Sequence, residues 1–183
     1  MFARTPRLLL RPGWPEDAPA LHAAISDEQI VRNLATAPWP YNLNDAETFL
    51  DLPREASHAN FLIFRRTAGA PQLVGGIGLE QTDTGSVEIG YWLSRPNWGL
   101  GYATEAGHAV IDIARALGHR HMGAEHYVDN PASGNVLRKL GFRSTGRIAP
   151  RYSLGRKAQV DAIQFRLDLA DDDESEVMPL LAA

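Results

Sequence analysis

Apolar residues recur at helical spacing in the first third of the chain. The pattern predicts two short helices and, after a loop, a third, over residues 16–25, 27–34 and 44–52. The loop contains Pro38 and Pro40, which exclude a regular helix there. Asn44 is expected to cap the third helix, and Pro53 to limit it.

The middle of the chain changes to patterns that are typical of strands. A short apolar run lies at residues 7–11, before the predicted helices. After the helices, strand patterns occur at residues 60–66, 72–81 and 87–93. Residues 67–71 are expected to join the first two of these strands as a hairpin, and Asp83-Thr84-Gly85 to turn the chain into the third. The three strands are therefore predicted to be antiparallel neighbours.

A strand-helix-strand crossover follows. Apolar residues at helical spacing predict an amphipathic helix over residues 104–117, which Gly118 ends. The next predicted strand, residues 121–128, is reached by crossing over this helix, so it is expected to be a parallel neighbour of strand 87–93.

The last part of the chain predicts one more helix and a closing hairpin. Asn130 followed by Pro131 is typical of a helix start, and Gly141 with Phe142 fits a Schellman ending. Two strands close the pattern, over residues 143–149 and 159–169. An antiparallel region that feeds a single crossover is not the repeated pattern of a doubly wound nucleotide fold.

The segment from Trp98 to Thr104 joins a predicted strand to a helix through two glycines. Gly99 and Gly101 lack a Cβ, so the chain can turn sharply there and an anion can approach the main chain closely. The first N–H groups of a helix have no partner within it, and they attract phosphate. The segment therefore predicts a diphosphate site, although two glycines in a plain turn, or the start of a dinucleotide-binding fold, would show the same spacing.

Length, composition and the distribution of charge indicate one domain followed by an acidic tail. The chain has 183 residues and 44% hydrophobic residues, which fits one globular domain over residues 1–170. Five acidic residues and no basic ones lie in residues 170–183, and removing their charge from the net charge of −4 leaves +1. Residues 171–183 are therefore expected to be a solvated, flexible tail.

The absence of cysteine excludes disulfides, thiolate metal sites and a cysteine acyl-enzyme. The three consecutive leucines near the N-terminus are too few for a signal sequence or a membrane span, so a cytoplasmic protein is expected. The chain shows no strongly basic face or nucleic-acid-binding signature. We expect no nucleic-acid or membrane partner.

With its elements in this order, the chain resembles the GNAT superfamily of acetyl-CoA-dependent N-acetyltransferases, and within it the ribosomal-protein N-terminal (RimJ/RimL-type) branch. The resemblance covers residues 5–169 and rests on five segments in order: RLLLRP (7–12), PWPYNLNDAETFL (38–50), VGGIGL (74–79), EIGYWLSRPNWGLGYATEA (88–106) and NPASGNVLRKLGF (130–142). One departure concerns Leu100, where the family commonly has a basic residue. A side-chain contact to phosphate is therefore not expected from that position.

The resemblance implies a GNAT fold of the α/β (α+β) class. Its mixed, mostly antiparallel sheet of six to seven strands would be flanked by about four helices, and two parallel strands, here 87–93 and 121–128, would splay apart. The pantetheine arm of acetyl-CoA would lie in the gap, where its amides suit main-chain groups left unpaired. The coenzyme-binding set that we expect is Trp92, Leu93, Ser94, Trp98, Gly99, Leu100, Gly101, Tyr102, Ala103, Thr104, Asn130, Ser133 and Lys139.

Without a covalent nucleophile, an amine must attack the thioester directly, and the site needs a base, a polarised carbonyl and an acid. Glu88 is the candidate base, because strand alternation places it on one face with Gly90 and Trp92. An ion-pairing glutamate at a sheet edge would fit the same position. N–H groups between Trp92 and Ser94 are expected to polarise the carbonyl.

The resemblance implies that Ser133 protonates the leaving thiolate and that Asn130 binds the coenzyme. Ordinary capping explains Asn130 equally well, and Ser133 also fits an ordinary first-turn residue. Trp39 and Tyr41 lie in a loop with two prolines, and such exposed aromatics would wall the substrate site. His119 and His121 lack a third ligand at a fitting spacing, so we predict no metal.

The acceptor is expected to be a primary amine, on a protein N-terminus or a small molecule. The pKa of an α-amino group lies about 1 unit above pH 7, whereas that of a lysine side chain lies about 3.4 units above it. The α-amine is therefore easier to deprotonate, and a weak base favours it as the acceptor. The alternatives are a catalytically silent acetyl-CoA-binding module and a nicotinamide-dependent oxidoreductase. A monomer and a homodimer both remain open.

Overall fold

The computed structural model describes residues 1–52, 59–82 and 86–169. Three expectations lie outside these residues: the limit set by Pro53, the turn Asp83-Thr84-Gly85 and the tail at residues 171–183.

Among the described residues, eight strands form one mixed sheet. Their bounds are β1 Ala3–Arg4, β2 Leu8–Arg11, β3 Phe61–Arg65, β4 Gln72–Gln81, β5 Val87–Leu93, β6 His121–Tyr127, β7 Arg143–Ser153 and β8 Ala158–Asp168. The strand order is β1-β2-β3-β4-β5-β6-β8-β7, and within the described residues β5 and β6 form the parallel pair. The predicted mostly antiparallel sheet with one parallel pair is confirmed, and the two-residue β1 brings the number of strands to eight.

In the described part of the chain, five α-helices flank this sheet: α1 Ala18–Ile25, α2 Glu28–Val31, α3 Leu43–Asp51, α4 Tyr102–Ala116 and α5 Pro131–Lys139. The predicted cap of α3 at Asn44 is wrong. The helix begins at Leu43, and the backbone N–H of Asn42 donates to the Asp45 carboxylate at 2.7 Å, so Asn42 is the capping residue. Helix α4 begins at Tyr102 rather than at the predicted Thr104, which brings its first turn directly behind Gly101.

Strand β7 is longer than predicted, because it continues past Ala149 to Ser153. Pro150 lies within it and is the register partner of Asp161 on β8. Proline cannot donate a hydrogen bond in a ladder, but β7 is an edge strand with one neighbour, so this donor is not needed. The hairpin of β7 and β8 therefore extends well beyond the predicted end of β7.

The sheet is covered unequally on its two faces. Helices α4 and α5 pack on one face and share a large core with the inward residues of β2 to β6 and β8. Helices α1 to α3 cover a second core on the other face, against β3 and β4. On that second face the strands β5, β6 and β8 carry the polar side chains Glu88, Glu125 and Gln164, which leaves room for a site beside the helices.

Truncation of the larger core should be costly. Leu79 on β4 is fully buried there, so we expect Leu79→Ala to lower the free energy of unfolding by about 2–5 kcal/mol. Urea denaturation measures the change. Leu117→Ala at the exposed end of α4 serves as the control, and equal losses in both variants would contradict this account of the core.

Candidate active site

The parallel strands β5 and β6 separate soon after they meet. They pair at Val87 with Met122 and at Glu88 with Gly123, and the described register goes no further. Strand β5 nevertheless stays paired with β4 as far as Leu93, and β6 stays paired with β8 as far as Tyr127. Each strand therefore keeps its outer neighbour while a gap opens between them, which confirms the predicted splayed pair.

The pairing of β5 with β4 determines which backbone groups of β5 point into the gap. The Ser94 N–H donates to the Val74 carbonyl of β4 at 2.9 Å, so alternation directs the backbone groups of Leu93 and Tyr91 to the opposite edge, toward the gap. The expectation of polarising N–H groups near Trp92 to Ser94 stays a prediction, and this pairing limits the N–H groups that could meet it. The Ser94 N–H is occupied, and Leu93 is the residue of this segment whose N–H points to the gap.

The glycine turn has the conformation that its sequence predicts. Gly99 and Gly101 have φ of 73° and 80°, values that favour glycine over any residue with a Cβ. The backbone N–H groups of residues 99–104 have no acceptor among the described residues. Trp98 and Leu100 are 44% and 47% exposed, whereas Tyr102 and Ala103 are buried, so the exposed part of the turn comes before α4.

Glu88 lies where the gap begins. Its side chain is 26% exposed, and a Cβ on Gly123 of β6 would lie 3.0 Å from the Glu88 Cγ, so the glycine leaves room for the carboxylate. Burial raises the pKa of Glu88 above its usual value, and the charges of Glu125 and Glu80 raise it further, while Arg151 lowers it. A raised pKa suits a general base.

Two charged side chains that sequence reasoning missed accompany Glu88. Arg151 of β7 lies between two carboxylates, with Nη2 3.8 Å from Glu88 Oε2 and Nη1 3.4 Å from Glu125 Oε2. Glu125 also accepts a hydrogen bond from Gln164 of β8 at 2.9 Å. Alternation on β6 places Glu125 on the same face as Gly123, the register partner of Glu88, but the proximity of Arg151 to Glu88 depends on the long hairpin of β7 and β8.

A cavity of about 270 Å³ opens beside these carboxylates. Its polar lining includes Glu88, His121, Glu125, Thr145, Gln164 and Arg166. The cavity lies on the sheet face opposite α4 and α5, so it is a candidate entry for an acceptor.

Ser133 lies at the other side of the gap, in the first turn of α5. Asn130 caps this helix by accepting the Ser133 N–H at 3.4 Å, as predicted. The Tyr91 hydroxyl is 2.8 Å from the Ser133 Oγ and donates to the Ser133 carbonyl at 3.0 Å. Burial raises the pKa of Tyr91 to about 12, so this phenol stays protonated near neutral pH.

Tyr91 was not among the predicted site residues. Strand alternation does place it on the face opposite Glu88, which is the face that packs against α4 and α5. The contact with Ser133 bridges 42 residues of sequence, and no local pattern predicts it. The structure thus places a candidate base and a candidate acid on opposite faces of β5.

The remaining predicted coenzyme residues occupy different surroundings. The Trp92 indole packs over Gly76 of β4, where a Cβ would lie 2.6 Å from its Nε1, and contributes to the second core. The Ser94 hydroxyl is buried and contacts the Val74 carbonyl. Lys139 is exposed at the last residue of α5, roughly 9 Å along the helix from Ser133.

The expected exposure of Tyr41 is wrong. It is 7% exposed and belongs to the second core, and burial raises its pKa to about 12, with the Asp45 carboxylate adding to the effect. Trp39 is half-buried against the same core. The loop residues Pro38 and Pro40 exclude a helix but do not keep these rings in solvent, because α1 and α3 offer them an apolar surface.

His119 lies before β6, whereas His121 is the first residue of that strand. His121 instead contacts Asp168 of β8, with 2.7 Å between Nδ1 and Oδ1. In the described parts of the chain, no three potential metal-binding side chains cluster. No helix there has the length and apolar character needed to cross a membrane.

Comparison with known proteins agrees with this geometry. Residues 7–143 match the family model described as the acetyltransferase (GNAT) domain. The chain is 31% identical, over 78% of its length and 82% of the relative's, to the uncharacterized N-acetyltransferase YoaA of Bacillus subtilis (strain 168).

Two solved structures share the fold. A GNAT-family acetyltransferase from Bacillus anthracis has a TM-score of 0.79 at 23% identity, covering 92% of this chain and 99% of that one. RimL, a ribosomal L7/L12 α-N-protein acetyltransferase in complex with coenzyme A, has a TM-score of 0.75 at 20% identity, covering 92% and 98%.

The chain belongs to the GNAT acetyltransferase family, and it is an acyltransferase. The alternative of a nicotinamide-dependent oxidoreductase is therefore wrong. Dinucleotide-binding folds have a similar glycine turn, but they contain repeated strand-helix-strand crossovers, whereas here the turn belongs to a single crossover.

The charges around Glu88 predict opposite pKa changes in two variants. Glu125→Gln removes a neighbouring negative charge and should lower the pKa of Glu88, whereas Arg151→Gln removes a positive charge and should raise it. Titration of the Glu88 carboxyl carbon by NMR measures both changes. Arg147→Gln on the same strand is the matched control, and a Glu88 pKa that does not respond to either substitution would contradict the arrangement.

Proposed function

We propose that this protein transfers the acetyl group of acetyl-coenzyme A directly to a primary amine. The observation that carries the proposal is the position of Glu88, a carboxylate with a raised pKa at the apex of the gap between β5 and β6. The gap suits a pantetheine arm, and the amine has an approach from the cavity on the opposite face.

The free N–H groups of residues 99–104 suit the diphosphate of the coenzyme. A helix N-terminus carries partial positive charge, and α4 supplies one directly behind the turn. Along the gap, the backbone groups of Tyr91 and Leu93 are available to the pantetheine amides. Coenzyme binding by Trp92, Ser94, Asn130 and Lys139 stays a prediction.

In the proposed reaction, the amine nitrogen attacks the thioester carbonyl, and the carbon–nitrogen bond forms as the carbon–sulfur bond breaks. Glu88 takes the proton that the amine loses. Ser133 is held in place by the Tyr91 hydroxyl and gives its hydroxyl proton to the departing thiolate; its oxygen regains a proton from solvent, to which Glu88 releases the one that it took. The Leu93 N–H is directed to the gap, where it would stabilise the developing oxyanion.

The acceptor that we propose is an amine of low pKa, on a protein N-terminus or a small molecule. Glu88 is a weaker base than a lysine amine, so an α-amine, whose unperturbed pKa is roughly 2.5 units lower, is easier to deprotonate. The name of the RimL neighbour, an α-N-protein acetyltransferase, supports the peptide N-terminus. That Trp39 and Tyr41 contact the acceptor stays a prediction. Trp39 is half-buried, whereas Tyr41 is buried.

A melting experiment separates the proposed enzyme from a silent binding module. Acetyl-coenzyme A at about 100 times its Kd should stabilise the fold by about 2.7 kcal/mol. Mass spectrometry should then detect acetylation of a peptide with a free N-terminus, and less of a lysine peptide whose N-terminus is blocked. Stabilisation without acetylation of any amine in a panel of peptides, polyamines, amino acids and aminoglycosides would contradict the catalytic proposal.

Removing the base should affect turnover but not coenzyme binding. Glu88→Gln is expected to lower turnover about 10²–10⁴-fold, with the greatest loss between the raised pKa of Glu88 and the pKa of the acceptor amine, where Glu88 is ionised but few amines are already deprotonated. Because the pKa of Glu88 is raised, wild-type activity should fall as the pH drops through that raised value. Glu47→Gln, at an exposed position of α3 whose charge is not among those that act on Glu88, is the control. An unchanged pH–rate profile in Glu88→Gln would remove Glu88 from the mechanism.

Gly101→Val should abolish the stabilisation by coenzyme A, because valine strongly disfavours the φ of 80° at this position. Gly118→Val is a matched control, since Gly118 has a φ of 82° at the far end of α4 and no neighbour that a Cβ would contact. Both variants should lose intrinsic stability, but the control should still bind coenzyme A. Equal coenzyme affinity in the two variants would argue against a diphosphate site at this turn.

A further inference from the structure

Arg7 reaches the glycine turn from the segment just before β2. Its Nη1 donates to the Leu100 carbonyl at 2.9 Å, and its Nε contacts Glu105 Oε2 at 2.6 Å. The guanidinium also lies over the Tyr102 ring, 4.7 Å from the ring centre. Three different contacts therefore fix one arginine against the turn and the first helical turn of α4.

The bond to Leu100 fixes the orientation of a peptide plane. In a trans peptide the carbonyl and the following N–H point in opposite directions. Because the Leu100 carbonyl points to Arg7, the Gly101 N–H points away from Arg7, and it has no acceptor among the described residues. By fixing this peptide, Arg7 orients the Gly101 N–H, which is one of the groups that form the proposed diphosphate site.

Arg7 also offsets a negative charge at that site. Glu105 lies in the first turn of α4 and accepts hydrogen bonds from the Thr5 hydroxyl at 2.6 Å and the Arg7 N–H at 2.9 Å. Burial alone would raise the pKa of Glu105, but these bonds and the Arg7 charge lower it, so the carboxylate is ionised. An ionised carboxylate repels an incoming diphosphate unless a cation is paired with it.

We propose that Arg7 is a positioning residue for the coenzyme diphosphate, which it serves by orienting the Leu100–Gly101 peptide and by neutralising Glu105. It supplies beside the turn the positive charge that Leu100 does not provide. The proposal rests on the proposed acetyl-coenzyme A site and extends it to the N-terminal segment, 93 residues away from Leu100 in sequence.

The test compares coenzyme A with pantetheine, which has no diphosphate. In Arg7→Gln, calorimetry should show a Kd for coenzyme A raised roughly ten-fold, since hydrogen bonds that involve a charged group are the stronger class. The Kd for pantetheine, measured by NMR titration, should stay unchanged. Steady-state kinetics should show a higher KM for acetyl-coenzyme A with kcat unchanged.

Arg66→Gln is the matched control. Arg66 binds the carbonyls of Thr5 and Pro6 in the same N-terminal segment, but it makes no contact with the turn. Its loss should leave the Kd for coenzyme A unchanged. Arg7→Lys keeps the charge and should recover a large part of the affinity for coenzyme A. If Arg7→Gln does not fold, the same titrations are made with Arg7→Lys.

Two results would overturn the proposal: wild-type affinity for coenzyme A in Arg7→Gln, or equal weakening of coenzyme A and pantetheine, which would indicate a general loss of structure. A wild-type protein that binds neither ligand would instead overturn the proposed function itself. The two failures are therefore distinguishable in one set of titrations.

Discussion

The requirement that backbone N–H and carbonyl groups find partners governs this molecule. Two adjacent regions of the described chain leave such groups unpaired: the turn before α4, and the edges of β5 and β6 beyond Glu88. Elsewhere β4 and β8 hold the two strands in continuous ladders, so the gap is built into a rigid sheet. A ligand with a diphosphate and a chain of amides supplies what both regions lack, which is why the family's coenzyme suits this fold.

The chemistry depends on the two faces of β5. Alternation along one strand directs Glu88 to the open polar face and Tyr91 to the helix face, where it contacts Ser133. In the proposed reaction, the base and the acid therefore act from opposite sides of a thioester in the gap. The hairpin of β7 and β8 then adds Arg151 to the open face, and Arg156 anchors this hairpin through a bidentate pair with Asp129, at 2.7 and 3.0 Å, just before the cap of α5.

Local features of the sequence predicted much of the fold and part of the site. The glycine turn, the alternation on β5 and the Asn130 cap depend on neighbouring residues, and the structure shows all three. Tyr91, Glu125, Arg151 and Arg7 were missed because their roles depend on contacts between distant segments. The expected exposure of Tyr41 failed for a related reason, since two prolines describe the backbone of a loop but not the apolar surface of α1 and α3 against which its ring packs.

The central claim is that the free N–H groups of residues 99–104 bind the coenzyme diphosphate. Amide ¹H–¹⁵N spectra of the labelled protein test it most directly, with coenzyme A compared against pantetheine. We predict large shifts of the amides of residues 99–104 with coenzyme A and small ones with pantetheine, while both ligands shift Tyr91 and Leu93. Binding of coenzyme A that leaves the amides of residues 99–104 unshifted would contradict the account.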